Sequence, residues 1–156
     1  MQVQAITKNV RMSAQKMREV VRQIQGLPAV HAQAALAVTP RKGARLVAKT
    51  LASAMANAEH LRNEWTEAKL KQEISDLQGR IANTRNHKRR NRYERDLEQY
   101  QGFLNSPRRL AAESLIVKEA FAQTATTIRR FTPKARGSAG PILKRNCHIK
   151  IVLSDD

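Results

Sequence analysis

The residues best equipped for chemistry stand in one stretch, TIRRFTPKARGSAG, at positions 127–140. It carries Arg129, Arg130, Lys134 and Arg136, no acid, and one ring, Phe131. Guanidinium and ammonium groups at this density suit phosphate oxygens: Arg offers a planar fork of donors, Lys a point charge, and each phosphate neutralised releases counterions. A ring among them can stack on a base. Pro133 and Gly137 shape the backbone at positions that need no ladder partner. A folded interior cannot take in four unpaired charges, so the stretch is either covered by a polyanion or left loose in solvent. Strand-like segments on both sides favour a paired stem over a loose loop.

Other chemistry lacks residues to perform it. His31, His60, His87 and His148 are scattered, and none stands with Cys or carboxylates at a metal-ligand spacing. Cys147 is the single cysteine, so no internal disulfide can form. Its place on the apolar side of an alternating segment makes it a small core hydrophobe rather than a nucleophile. No Gly-rich phosphate loop follows a strand. The expectation is a non-enzyme with no cofactor and no metal.

The 156 residues carry a formal net charge of +16, and basic groups exceed acidic ones at both ends and in the middle. Such an excess repels itself in a compact state. Nucleic acid is the first partner to consider, an anionic membrane surface the second, and a merely soluble basic protein the bland alternative. No apolar run approaches the roughly 20 residues that span a bilayer. MQVQAITKNV lacks the apolar stretch of a signal peptide. A cytoplasmic chain without a membrane partner is expected.

The elements that must hold the cations follow from periodicity. VQAITKNV (3–10) reads as a short strand. Ser13 then offers an N-cap to a helix with Met17, Val20, Val21 and Ile24 on one face, and Gly26 suits its C′ position. Arg11, Lys16, Arg18 and Arg22 lie on or beside that helix. An alanine-rich helix over about 28–37 comes next. Thr39 as N-cap and Pro40 at the first helical position predict the start of a third helix, with Val47, Leu51, Ala54 and Ala58 as its stripe, widened by Met55. Arg41, Lys42, Arg45 and Lys49 crowd its first turns, against the helix dipole, which points to an external anion.

Residues 61–112 read as an antiparallel helical hairpin. Leu70, Ile74, Leu77 and Ile81 repeat the spacing of Tyr93, Leu97, Tyr100 and Leu104, two heptad seams ending at Asn105-Ser106-Pro107. Arg85, Lys88, Arg89, Arg90 and Arg92 cluster with Arg95 around the turn, a further candidate RNA contact. Beyond 112 the period becomes two. LIVKEAF (115–121) has strand composition, and Cys147, Ile149, Ile151 and Leu153 alternate with Asn146, His148 and Lys150. The cationic stretch is therefore a hairpin arm over 122–142. At about ten residues a side it reaches roughly 30 Å. Lys144 and Arg145 close its far side and join the candidate RNA-binding set. The fold class is α+β: a small three-stranded antiparallel sheet on about three helices, a protruding β-hairpin, and an inserted helical coiled-coil hairpin. Residues 1–60 and 113–156 form one body, and 61–112 the insertion.

SAQKMREVVRQIQG (13–26), ASAMANAEH (52–60) and IRRFTPKARGSAGPILKRNCHIKIVLSD (128–155) resemble the universal large-subunit ribosomal protein number twenty-two family. The resemblance implies a small α+β body bound to large-subunit (23S-type) ribosomal RNA near the polypeptide exit. It implies a hairpin that lines the exit tunnel, near where macrolide antibiotics sit. By that likeness the hairpin tip is Ile128, Arg129, Arg130, Phe131, Thr132, Pro133, Lys134, Ala135 and Arg136, and Lys16, Arg18 and Arg22 face RNA. Neighbouring ribosomal proteins and the nascent polypeptide are the implied further partners, with the protein a monomer within the ribosome and no DNA bound. Two departures stand out. Residues 61–112 replace what is usually a short connection. Pro141 stands where a basic residue is common, and its missing N–H is expected to shift the stem register. The alternatives are a free-standing RNA chaperone or architectural nucleic-acid-binding protein, and a coiled-coil scaffold acting through 61–112.

Overall fold

The computed structural model describes residues 2–105 and 110–155. In chain order it runs β1 (Gln2–Val10), α1 (Ala14–Ile24), α2 (Ala29–Val38), α3 (Lys42–Glu64), α4 (Glu67–Asn83), α5 (His87–Asn105), β2 (Ile116–Thr124), β3 (Ile128–Pro133), β4 (Ala139–Lys144) and β5 (Cys147–Ser154). The α+β expectation holds, with a sheet ordered β1-β5-β2 and a separate two-stranded sheet of β3 and β4.

The alternating apolar residues of the last strand explain its central place. Cys147, Ile149, Ile151 and Leu153 are fully buried, as are Met17, Val20 and Ile24 on α1 and Val47, Leu51, Ala54 and Ala58 on α3. All belong to one core. Each large side chain in it contributes about 1.5–3 kcal/mol by leaving water. The run of alanines lets α3 lie close to the sheet, and Thr7 Oγ1 meets Thr50 Oγ1 at 2.8 Å across that contact. After α1, Gly26 takes φ +81 and donates its N–H to the Val117 carbonyl at 2.8 Å. The link between α1 and α2 is thereby stitched to the start of β2.

Two local readings change. Thr39 does not start α3. Its N–H and Oγ1 both donate to the Ala35 carbonyl, at 3.1 and 2.8 Å, and so close α2. Pro40 keeps Thr39 extended, a conformation that serves a helix end as well as a beginning. The third helix begins at Lys42 and runs on to Glu64. β2 continues to Thr124, past the expected 121, with an irregularity between Val117 and Glu119. In β1 the register slips between Thr7 and Val10, where Asn9 adopts φ 54 and donates its N–H to His148 Nδ1 at 3.1 Å.

In the hairpin of α4 and α5, Leu70 and Leu77 are buried while Ile74 and Ile81 are half-buried. On α5 the buried residue is Phe103, and Tyr93, Leu97, Tyr100 and Leu104 are only half-buried. A two-helix hairpin covers its seam from one side. Leu77 is buried within the hairpin itself, whereas Leu70 and Phe103 join the body's core at the root. There the Trp65 and Tyr100 rings lie 5.1 Å apart, with Lys69 Nζ 5.5 Å over Trp65. Burial, then the charges of Asp96 and Glu73, push the Tyr100 hydroxyl above its ordinary pKa. The helix reaches Asn105; Ser106 and Pro107, expected to end it, lie outside the described residues. No helix among the described residues is long and apolar enough to cross a membrane.

Candidate nucleic-acid interface

The cationic arm is built on the hairpin formed by β2 and β5. Ala122, Gln123 and Thr124 stay in the body sheet, opposite Ile149, His148 and Cys147. The arm proper begins beyond a joint at 125–127. Asn146 makes that joint: its carbonyl accepts the Ala125 N–H and its Nδ2 donates to the Thr126 carbonyl, both at 3.0 Å. Asn146 is only 8% exposed.

Past the joint, Ile128 to Pro133 pair with Lys144 to Ala139 without a slip. Pro141 therefore leaves the register intact, contrary to expectation. The cause is its position. Lys134 N–H donates to the Ser138 carbonyl at 2.7 Å, which makes 134/138, and every second pair below it, the hydrogen-bonded class. Pro141 opposite Phe131, and Pro133 opposite Ala139, fall in the other class. Their missing N–H groups would have pointed out of the ribbon.

The segment 128–136 is thus one strand and half a turn rather than a tip. Six paired residues a side span roughly 20 Å, shorter than expected because residues 122–124 belong to the body. The apex is the turn Ala135–Gly137, with φ +57 at Arg136 and +71 at Gly137. Glycine adopts this conformation freely, whereas at Arg136 it is strained by about 1–2 kcal/mol.

Opposed residues share a face. One face carries Arg129, Phe131, Pro133, Ala139, Pro141 and Leu143; the other carries Ile128, Arg130, Thr132, Gly140, Ile142 and Lys144. Phe131 is 77% exposed, and Leu143, Ile142 and Ile128 are exposed too. Cations and bare apolar groups thus alternate on both faces. Ile142 and Leu143, together with Asn146, are the residues that sequence reasoning missed. The break in alternation at Asn146, between a basic pair and an apolar strand, was the available signal.

On the body, Arg11, Lys16, Arg18, Arg22, Arg41, Lys42, Arg45 and Lys49 are all exposed, as are Lys144 and Arg145. Arg41 pairs with Glu19, which sets the start of α3 beside the outer side of α1. Arg18 Nε donates to the Ala122 carbonyl at 3.0 Å, tying α1 to β2. Arg18 and Arg145 line one cleft of about 320 Å³ at the arm's root, with Ser13, Gln15, Thr124 and Asn146. Arg18 and Arg22 line a second, with Glu119 and Phe121. The arm cations stand away from both. Arg85, Lys88, Arg89, Arg90 and Arg92 are a separate group at the far end of the α4–α5 hairpin. Cys147 is fully buried, and that burial pushes its thiol above its ordinary pKa. Among the described residues no group of His, Cys, Asp and Glu could hold a metal ion.

A small body that keeps its cations outside and extends a basic ribbon is built to hold a polyanion by its backbone. The family model described as Ribosomal protein L22p/L17e matches residues 5–101 and 95–154. The chain belongs to this family. It is 37% identical over 155 residues to the large ribosomal subunit protein uL22 of Opitutus terrae, covering 99% of this chain and 96% of the relative. The proteins of that name from Methylacidiphilum infernorum and Akkermansia muciniphila are 36% and 35% identical over 155 residues. These alignments run through the segment that folds as α4 and α5.

Proposed function

We propose that the chain is a structural constituent of the large ribosomal subunit, non-enzymatic, working in the cytoplasm as part of the ribosome. It binds large-subunit rRNA, supports assembly, and lines the polypeptide exit tunnel with its arm. The observation that carries this reading is the ribbon of β3 and β4, cationic on both faces, within a chain of this family. Body and arm, residues 1–60 and 113–156, form one RNA-binding unit, and 61–112 an insertion into it. Arg11, Lys16, Arg22, Lys42, Arg45 and Lys49 meet phosphates from the body, with Arg18 and Arg41 held in place by Ala122 and Glu19. Lys144 and Arg145 act at the root, and Arg129, Arg130, Lys134 and Arg136 along the arm. Phosphate contacts fix position and register, while A-form RNA is read by shape and backbone rather than by base sequence. Phe131, Ile142 and Leu143 supply stacking and apolar contact to bases, neighbouring ribosomal proteins or the nascent polypeptide. The protein acts as a single copy per subunit. Sedimentation of ribosomes from cells that carry a tagged chain tests this. One copy per large subunit after a moderate-salt wash is expected. A chain found only on free RNA would instead make it a free-standing chaperone.

A further inference from the structure

The far end of the α4–α5 hairpin is a strongly charged surface that the body-and-arm interface leaves unused. Between Asp76 and Glu94 the sequence carries no acid and six cations: Arg80, Arg85, Lys88, Arg89, Arg90 and Arg92. The acids of the hairpin, Glu67, Glu73, Asp76, Glu94, Asp96 and Glu98, all lie nearer its root. Glu94 pairs with Arg90 at 3.0 Å, and among the described residues Arg85, Lys88, Arg89 and Arg92 have no acidic partner. Helix α5 has 19 residues, so at 1.5 Å a residue the charged end stands about 28 Å from the root.

We infer that this end is a second RNA-backbone contact, independent of the arm. Three observations carry the inference. First, repulsion among these cations acts where the hairpin is least able to bear it. Beyond Leu77 on α4, and before Phe103 on α5, no apolar side chain is fully buried. Second, the cations crowd the first turns of α5, where the helix dipole disfavours positive charge. The site is nonetheless made of side chains, because Asn86 Oδ1 accepts from the Lys88 and Arg89 N–H groups at 3.0 and 3.4 Å and so occupies those amides. Third, the surface has the wrong composition for a protein partner. None of the exposed large hydrophobic residues lies on α4 or α5, and the segment 82–92 is Ala, Asn, Thr, His, Lys and Arg throughout. A protein interface needs an apolar or aromatic centre; a phosphate backbone needs only cations that reach it.

The inference rests on the chain's membership of the subunit, and the test separates the two. Cys147 is buried, so a single exposed cysteine can carry a tethered iron chelate that cuts nearby RNA. Asn91→Cys places the probe at the hairpin end and Ala139→Cys places it on β4 just below the arm's apex, each in the assembled large subunit. Both are expected to cut large-subunit rRNA, at different sites. Cuts from the arm probe with none from the hairpin probe overturn this inference alone. No cuts from either overturn the function itself. In solution, replacing Arg85, Lys88, Arg89 and Arg92 with Gln should flatten the dependence of log K on log salt by about 3 units. A variant with Lys at 85, 89 and 92 and the native Lys88 should keep the native slope. An unchanged slope in the Gln variant, or crosslinking of the Asn91→Cys probe to an acidic protein in place of RNA, overturns the proposal.

Discussion

Asn146 ties the joint between body and arm with two hydrogen bonds, and Asn146→Ala isolates the work of its side chain. The substitution removes the 3.0 Å hydrogen bond from Nδ2 to the Thr126 carbonyl and leaves the backbone contact with Ala125 in place. A lost hydrogen bond of this kind costs about 0.5–1.5 kcal/mol net. The bond is part-buried and Thr126 itself is exposed, which keeps the global cost near 1 kcal/mol. For a chain of this size that lowers Tm by about 2–4 °C. The local consequence is larger than the global one, because the three-residue joint at 125–127 has few other ties. Hydrogen exchange followed by mass spectrometry should show Ala125 and the β3 amides exchanging several-fold faster, with β5 unchanged. Affinity for rRNA should fall as well, since a swinging arm must be ordered on binding. Wild-type exchange in the arm, beside a lowered Tm, would mean that Asn146 is an ordinary core residue and that the joint is set elsewhere.

Phe103→Ala should release the helical hairpin from the body. Such a truncation at a buried site costs about 3–5 kcal/mol, and here the loss falls on the root. Trp65, the single tryptophan, should shift its emission to the red while the body sheet keeps its exchange protection; unchanged emission would refute the docking role. Cys147 should resist thiol reagents until the body unfolds, and rapid labelling in native buffer would contradict its burial. Burial raises the folded pKa of both the Cys147 thiol and the Tyr100 hydroxyl, so their contribution to stability is complete below the ordinary pKa of each. It is lost as pH climbs past about 9–10. Cys147→Ala should soften that alkaline decline, and an identical pH profile would refute the coupling.

What could be read in advance follows from how local each signal is. The stripe of Met17, Val20, Val21 and Ile24 and the alternation from Cys147 to Leu153 each carry their own period, so the body's core was legible. Tyr93, Leu97, Tyr100 and Leu104 carry a period as well. Yet the buried residue is Phe103, because the root of α5 faces the body and not α4 alone. Thr39-Pro40 shows the limit of cap signals: the same extended residue closes one helix just before another opens. The effect of Pro141 is not local, because it depends on which pairs of the ribbon exchange hydrogen bonds. That parity is set by the turn at Lys134–Ser138. For the interface, charge named the residues but not their grouping. Only the fold brings Arg18 and Arg145 into one cleft and turns Ile142 and Leu143 outward beside the arm's cations.

In the proposed function, phosphate oxygens meet the cations of the arm. The most direct test is the salt dependence of affinity for large-subunit rRNA, for the native chain and for the variant with Arg129, Arg130, Lys134 and Arg136 changed to Ala. Four lost contacts at roughly 0.7–0.9 each predict a slope flatter by about 3 units. Identical slopes for the two proteins would place the arm outside RNA and contradict the account.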